Sequence, residues 1–529
     1  MKPNREIIVD SFAGGGGVSC GVEKATGKSP DIAINHDIEA IRMHTVNHPE
    51  TEHYCEDVWQ IDPRKATRGR PVALFWLSPD CKHFSKAKGG KPVNKNIRGL
   101  AWVAIRWAAT VKPRVIIMEN VEEIRTWGPL LIDGRPDPKQ KGRTFNSFIN
   151  ALKRQGYEVE YRELRACDYE TPTIRKRLFL IARCDGLPIV WPKPTHGDPK
   201  SPEVKAGLLK PWRTAAEIID WSLPCPSIFD TKEEIKASLG IKAVRPLADN
   251  TMQRIAKGTD KFVINNPQPF IIRVNFSGSN HHYCNSINEP LSTITSKNGW
   301  GTVTPFLSQY HSYESDGARG QTIDRPILTI DTNPRYALTA AFVSKYYGTG
   351  EGSNLRDPLH TVTTKDRNAL IETHLCVLRN HMDCKDLKEP LPTITTSPGH
   401  FAEIKTVLTK IATNQDLGHW PEIREMLNKY CDYCIADDEI LPLEINGELY
   451  FISDIGMRML EPRELFNAQG FPPDYIIDHD STGKPLSKST QVARCGNAVP
   501  PPFAEHLVRA NLPELCRGYG SIVREEGCL

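Results

Sequence analysis

The chain has 529 residues, 39% of them hydrophobic, which is room for roughly three domains with buried cores. Its 67 basic and 64 acidic residues give a net charge of +3, which neither demands nor forbids a nucleic-acid partner and leaves that question to local clusters. No apolar run approaches the roughly 18 residues of a membrane helix. The first ten residues lack a secretory core, so the chain is expected in the cytoplasm. The 14 cysteines are scattered and read as reduced thiols, while 41 prolines argue against an all-helical bundle.

Ile7-Ile8-Val9 predicts a first strand, Asp10-Ser11-Phe12-Ala13-Gly14-Gly15-Gly16-Gly17 a glycine turn, and 18–25 a helix. Strand, glycine turn and helix open a doubly wound α/β domain. Glycines there let backbone approach a ligand closely. The spacing is not the dinucleotide fingerprint, and nicotinamide, flavin and S-adenosylmethionine all remain open. A carboxylate at the strand end suits a ligand with an ammonium group and no phosphate. Ile32-Ala33-Ile34-Asn35 predicts the second strand, ending at an adenosine ribose, and Asp57-Val58 lies where a third strand ends. Val72-Ala73-Leu74-Phe75-Trp76-Leu77 is an apolar strand leading into Ser78-Pro79-Asp80-Cys81-Lys82-His83-Phe84-Ser85. Open α/β sheets bind ligands at the carboxyl ends of their strands, which places Cys81 where chemistry occurs. Lys82, Lys86, Lys88, Lys91, Lys95 and Arg98 form a cationic loop around it, and nearby cations favour the thiolate.

Asp10-x-Phe12-x-Gly14-x-Gly16-Gly17 and Pro79-x-Cys81 resemble the cofactor and nucleophile segments of the cytosine carbon-5 DNA methyltransferases, and the likeness continues in order over 5–183 and 455–512. The apolar strand at 114–118 ends in Glu119-Asn120-Val121, and the resemblance makes Glu119 the group that protonates ring nitrogen 3 of cytosine. Tyr169-x-x-Pro172-x-x-Arg175-x-Arg177 precedes a strand at 178–182. Arg175 and Arg177 should share a face. By resemblance Arg177 donates to the cytosine carbonyl oxygen, and Arg175 holds the nucleophile loop or the DNA. The same likeness implies S-adenosyl-L-methionine, contacted by Asp10, Phe12, Ala13, Gly14, Gly16, Gly17, Asn35, Asp57, Val58, Pro79, Asn497 and Val499; no metal is expected, because the one CxxC pair has no second pair at zinc-site spacing. Lys82, Ser85, Lys86 and Lys88 are expected on duplex DNA. The sequence departs from the family at Asp80, where proline is usual, at Asn35, where a carboxylate is usual, and at Thr173, where glutamine is common. These departures suggest a divergent, phage- or prophage-like branch.

Between the two matched stretches lies a repeat. Units begin at Phe270-Ile271-Ile272, Phe306-Leu307-Ser308, Phe342-Val343-Ser344 and Leu375-Cys376-Val377, each with a second, proline-led element at 290–295, 326–331, 358–363 and 390–395. Alternating apolar residues predict strands, and the period predicts an array in which each unit buries its face on the next. Read as a target-recognition domain, it would present Arg335, Lys345, Arg356, Lys365, Arg367 and Arg379 to DNA. Short helices are expected at 212–221 and 251–257. A helix is expected to start at 458–465, closed by Gln469-Gly470-Phe471-Pro472. Gly496-Asn497-Ala498-Val499-Pro500 resembles the family's last segment, with a helix from 501 or 502 through 511. Cys431-Asp432-Tyr433-Cys434 is a lone CxxC, two ligands short of a zinc site.

The expected architecture is an α/β, Rossmann-like, doubly wound methyltransferase domain over 1–190, a linker with helical segments over 191–265, a mainly β recognition domain of four repeats over 266–455, and a hinge helix with return to the first domain over 456–529. The resemblance implies a DNA cytosine-5 methyltransferase, a monomer acting at the nucleoid of a bacterial or phage-infected cell, with a cognate restriction endonuclease as functional counterpart. An RNA cytosine methyltransferase of the same fold and a DNA-binding regulator without activity remain open.

Overall fold

The computed structural model describes residues 5–79, 99–131, 135–220, 222–265, 401–411, 416–445 and 448–518, and within 266–400 only a set of short strands. Seven strands form the first sheet: β1 (Ile7–Ser11), β2 (Ile32–Ile34), β3 (Glu52–Tyr54), β4 (Val72–Leu77), β5 (Val115–Asn120), β6 (Glu158–Arg165) and β7 (Lys176–Arg183). Their order is β3-β2-β1-β4-β5-β7-β6. The first five pair in parallel, whereas β7 runs antiparallel to both β5 and β6. The winding reverses between β1 and β4, so their carboxyl ends flank the crevice where such sheets take ligands.

β1, β4 and β5 are buried along their whole length, as continuous apolar runs require of strands covered on both faces. The helices α1 (Gly17–Thr26), α2 (Ile38–Asn47), α3 (Pro63–Thr67), α4 (Val103–Thr110) and α5 (Arg143–Arg154) follow in the amino-terminal half. On one face Phe75, Leu77, Ile116, Met118 and Leu180 pack with Trp107 of α4 and Phe145 and Phe148 of α5. Phe75 stacks on Trp107 with centroids 4.4 Å apart. On the other, Leu74, Trp76, Ile117, Phe179 and Ile181 pack with Val18 and Val22 of α1 and with Phe503 and Leu507 of the carboxyl-terminal segment. Strand alternation sorts neighbours such as Leu74 and Phe75 onto opposite layers.

Later helices are α6 (Asp249–Thr259), α7 (Trp420–Tyr430), α8 (Pro462–Ala468), α9 (Lys488–Asn497) and α10 (Pro501–Asn511); α6 and α10 stand where the sequence predicts them. A second, nine-stranded sheet is built around Asn368–Val377, Phe401–Lys410 and Glu448–Met459. Ile404, Leu408, Phe451 and Ile455 form one apolar cluster with Trp420, Ile423 and Leu427 of α7 and Leu465 and Phe466 of α8.

All four unit starts in the repeat are strands: Phe270–Ile272, Phe306–Gln309, Phe342–Lys345, and the end of Asn368–Val377. Among the described strands, these four are not paired in succession. The first joins the large sheet through Cys384–Lys385, the second lies in a separate three-stranded sheet, and the third pairs with Asn368–Val377. Ile294–Thr295 and Thr393–Ile394, in the first and fourth proline-led elements, pair in parallel; 326–331 and 358–363 lie outside the described residues.

Two helix expectations are corrected. The helix at 212–221 is a single 3-10 turn, Ala215–Ile218, started by a Thr214–Glu217 capping box. The helix at 458–465 begins only at Pro462, because Glu448–Met459 continues the strand ladder as far as Met459 opposite Ala402. Pro462 then suits a first helical turn, where its missing N–H costs nothing, and Glu461 and Glu464 close a capping box. The division expected at 455/456 falls inside that strand. Among the described residues no helix is long and apolar enough to cross a membrane.

Candidate functional site

At the end of β1 the chain turns through Phe12 at φ 62°, Gly14 at φ 55° and Gly16 at φ 82°. Glycine takes this left-handed region freely, whereas a phenylalanine there is strained and is held by its surroundings. The Ala13 N–H donates to the Ile34 carbonyl of β2 at 3.1 Å, and the Gly16 N–H to Ala13 at 3.0 Å. The turn is clasped from behind. Tyr475 Oη donates to the Gly15 carbonyl at 2.9 Å. A Cβ on Gly17 would lie 2.0 Å from the Val499 carbonyl oxygen, and one on Gly16 2.0 Å from Tyr475 Oη. Side chains at 16 and 17 are therefore excluded by the carboxyl-terminal segment. On Gly14 a Cβ would meet, among the described residues, only the Phe12 carbonyl, at 3.7 Å.

Asp10 is completely buried. Its Oδ2 accepts from Ser19 Oγ at 2.8 Å, and its Oδ1 has no partner among the described residues. Burial pushes the carboxyl up to about 7, opposed by the Ser19 bond. A buried carboxylate with a spare oxygen beside a glycine turn is a receptor for a cationic group.

The remaining cofactor candidates are spread around this turn. Asn35 Oδ1 accepts from the Asp37 N–H at 2.8 Å, so that oxygen stabilises the local turn. Asp37 caps α2 through Glu39 N–H and pairs with Arg494 of α9. Asp57 is exposed and its Oδ1 accepts from the Trp59 N–H, while Val58 is buried. Asn497 is exposed at the end of α9, and Val499 is buried against Gly17.

Three distant segments meet at the carboxyl edge of β4 and β5. Arg177 Nε lies 3.0 Å from Glu119 Oε1, with both side chains about nine-tenths buried. Antiparallel pairing sets Glu119 opposite Phe179 and so delivers Arg177. Next to Glu119, Asn120 Nδ2 donates to the Pro79 carbonyl at 3.0 Å, fixing the backbone two residues before Cys81. Trp76 Nε1 donates to Ser78 Oγ at 3.0 Å. Arg175 diverges from Arg177: its Nη1 donates to the Gly496 carbonyl at 3.0 Å, tying α9 to the sheet.

Cys81, Lys82, Ser85, Lys86 and Lys88 lie outside the described residues, as do Arg335, Arg356, Lys365, Arg367 and Arg379 and the side chain of Lys345. Among the described cysteines, burial pushes the thiols of Cys20, Cys167 and Cys495 up, which removes them as thiolate nucleophiles. Sequence reading missed Ser19, Asn120 as an anchor, Tyr475 and Arg494. Only Asn120 carried a signal, by standing beside Glu119.

The C-5 cytosine-specific DNA methylase family model matches residues 7–327 and 360–512. Type II methyltransferase M.SacI of Streptomyces achromogenes is 26% identical over 36% of this chain and 52% of that protein. M.XorII of Xanthomonas oryzae pv. oryzae is 31% identical over 36% and 44%, and M.AquIA of Picosynechococcus sp. 25% over 44% and 95%. The chain thus spans about half the length of M.SacI and M.XorII and nearly all of M.AquIA.

Proposed function

The chain belongs to the C-5 cytosine-specific DNA methylase family, and from that premise we propose that it methylates carbon 5 of a flipped cytosine in duplex DNA. The observation that carries this reading is the Glu119–Arg177 pair beside the Asn120-anchored Pro79. An acid and a fixed guanidinium stand together beside Pro79, two residues before Cys81 in the sequence.

The residues present fit S-adenosylmethionine. The spare Oδ1 of Asp10 suits its ammonium group, and the glycine turn leaves room on the Gly14 side. Phe12, Ala13, Asn35, Asp57, Val58, Pro79, Asn497 and Val499 would complete the surround. When bound, the cofactor supplies an electrophilic methyl group. Cys81, as thiolate, adds to carbon 6 of the ring and turns it into an enamine whose carbon 5 is nucleophilic. Charge then develops at nitrogen 3 and at the carbonyl oxygen. Glu119 gives its proton to the first and Arg177 donates to the second. Loss of the carbon-5 proton to a water-mediated base, with the nitrogen-3 proton returning to Glu119, expels the Cys81 sulfur and restores the aromatic ring. A stacked base is out of reach of these groups, so the cytosine leaves the duplex, at a cost of about a few kcal/mol.

In this reading 266–455 is the target-recognition domain. Arg335, Lys345 and Arg367 serve there, and Lys82, Ser85, Lys86 and Lys88 close on the phosphates. A monomer paired functionally with a cognate restriction endonuclease completes it.

The test uses duplex DNA carrying 5-fluorocytosine, whose carbon-5 fluorine blocks release. The full-length protein should form a covalent adduct, and Cys81→Ala should form none while still binding DNA. Methyl transfer from labelled S-adenosylmethionine to tRNA but not to duplex DNA would overturn the substrate, and turnover by Cys81→Ala would overturn the mechanism.

A further inference from the structure

A line of hydrogen bonds that no step above uses runs from Asp10 towards the surface. Asp10 Oδ2 accepts from Ser19 Oγ at 2.8 Å, Ser19 Oγ is 2.9 Å from His44 Nε2, and His44 Nδ1 is 2.8 Å from His53 Nε2. Asp10, Ser19 and His44 are completely buried, and His53, on β3, is half-exposed. Four elements, β1, α1, α2 and β3, each contribute one member.

Other groups face this line without joining it. The His48 ring stands 4.7 Å from that of His44. His48 Nδ1 is engaged by Ser29 and Glu23, and its Nε2 is 3.4 Å from Tyr475 Oη. Cys20, Glu23 and Asp10 all act on buried Tyr475. From the flanking strands Asp10 meets only Ala33 and Trp76 in register.

We propose that Ser19, His44 and His53 are positioning residues for the cofactor, a relay that lets Asp10 release its proton when an ammonium group docks. This rests on the reading that Asp10 receives S-adenosylmethionine. Counting hydrogens fixes the polarity. An ionised Asp10 only accepts, so Ser19 must donate to it. The single hydroxyl hydrogen is then spent, and Ser19 must accept from His44 Nε2–H. A neutral imidazole has one N–H, so His44 Nδ1 accepts from His53 Nε2–H. With Asp10 protonated on Oδ2, all three bonds reverse. Starting from protonated Asp10, moving one hydrogen along each bond delivers a hydrogen to His53 Nε2; the resulting imidazolium gives its Nδ1 proton to water, so that one proton passes from Asp10 to solvent. Burial supports this twice. It holds Asp10 near 7, poised to lose its proton to an arriving cation, and it holds His44 well below the ordinary histidine range, so that His44 passes a proton on without keeping it.

The test is calorimetric titration of the full-length protein with S-adenosylmethionine at pH 7 in two buffers of different ionisation enthalpy. Asp10 half-protonated near pH 7 should release about half a proton on binding. His44→Phe removes the donor to Ser19. It should weaken binding about fivefold at pH 7, approaching tenfold at lower pH, and move the pH midpoint of affinity up by about one unit, which is the same shift read twice. His44→Gln, able to donate to Ser19, should recover most of the loss. If His44→Phe fails to fold, His53→Ala at the half-exposed end should shift the midpoint in the same direction. Wild-type affinity with an unmoved midpoint in either variant, or an equal loss at every pH, would overturn the relay. Failure of the wild-type protein to bind S-adenosylmethionine would instead overturn the cofactor reading beneath it.

Discussion

Replacing Asp10 with asparagine exposes the energetic cost of burying a carboxyl at the end of β1. The folded carboxyl titrates near 7 against an ordinary 3.8, so between these values the native state holds a proton that the unfolded chain has lost. The stability that goes with this proton is whole below about pH 4, falls as pH rises through the window, and is gone above about 7. A shift of about three units corresponds to about 4 kcal/mol in all. About 2 kcal/mol is lost by pH 5.5, and a further ~2 kcal/mol between pH 5.5 and pH 8. An asparagine side chain keeps the shape and still accepts from Ser19, but it has no charge to bury. Asp10→Asn should therefore gain about 2 kcal/mol on the wild type when pH is raised from 5.5 to 8, whatever constant offset the substitution carries. Guanidinium unfolding of the cofactor-free protein at both pH values, followed by tryptophan fluorescence, reads this difference. The same variant should bind S-adenosylmethionine poorly. Equal offsets at both pH values, within about 0.5 kcal/mol, would refute the claim that burial of Asp10 is costly.

Arg177→Leu leaves Glu119 buried beside an apolar neighbour and should cost about 3–5 kcal/mol. Adding Glu119→Gln should return much of that, and a double-mutant cycle by denaturation measures the coupling. Gly17→Ala places a methyl group 2.0 Å from the Val499 carbonyl oxygen. It should push 488–511 off the sheet and weaken cofactor binding, detected as faster proteolytic cleavage within that segment.

β1, β4, β5 and β7 were legible because a strand covered on both faces must be apolar throughout, and Ile7-Ile8-Val9 or Val72 to Leu77 has no polar face to suggest a helix or a half-exposed strand. The Glu119–Arg177 meeting was foreseeable from a carboxylate at one strand end and an arginine at the start of another. Arg175 was read onto the face of Arg177 by strand alternation, but it precedes β7, and alternation does not bind it there. The end of the long strand was misread because Arg458-Met459-Leu460 followed by Glu461-Pro462 carries helix-start chemistry, while the ladder to Phe401–Lys410 that extends the strand is a long-range pairing. The Ser19–His44–His53 line was invisible for the same reason. Its members sit on separate elements, and no periodicity links them.

Tyr475 and Gly15 touch although 460 positions separate them. At ribosomal speed, roughly 20 to 90 s pass between the synthesis of the glycine turn and that of its clasp. For that interval the nascent polypeptide carries the glycine turn without its clasp, and a transcript cut short before 475 would yield only such half-built molecules.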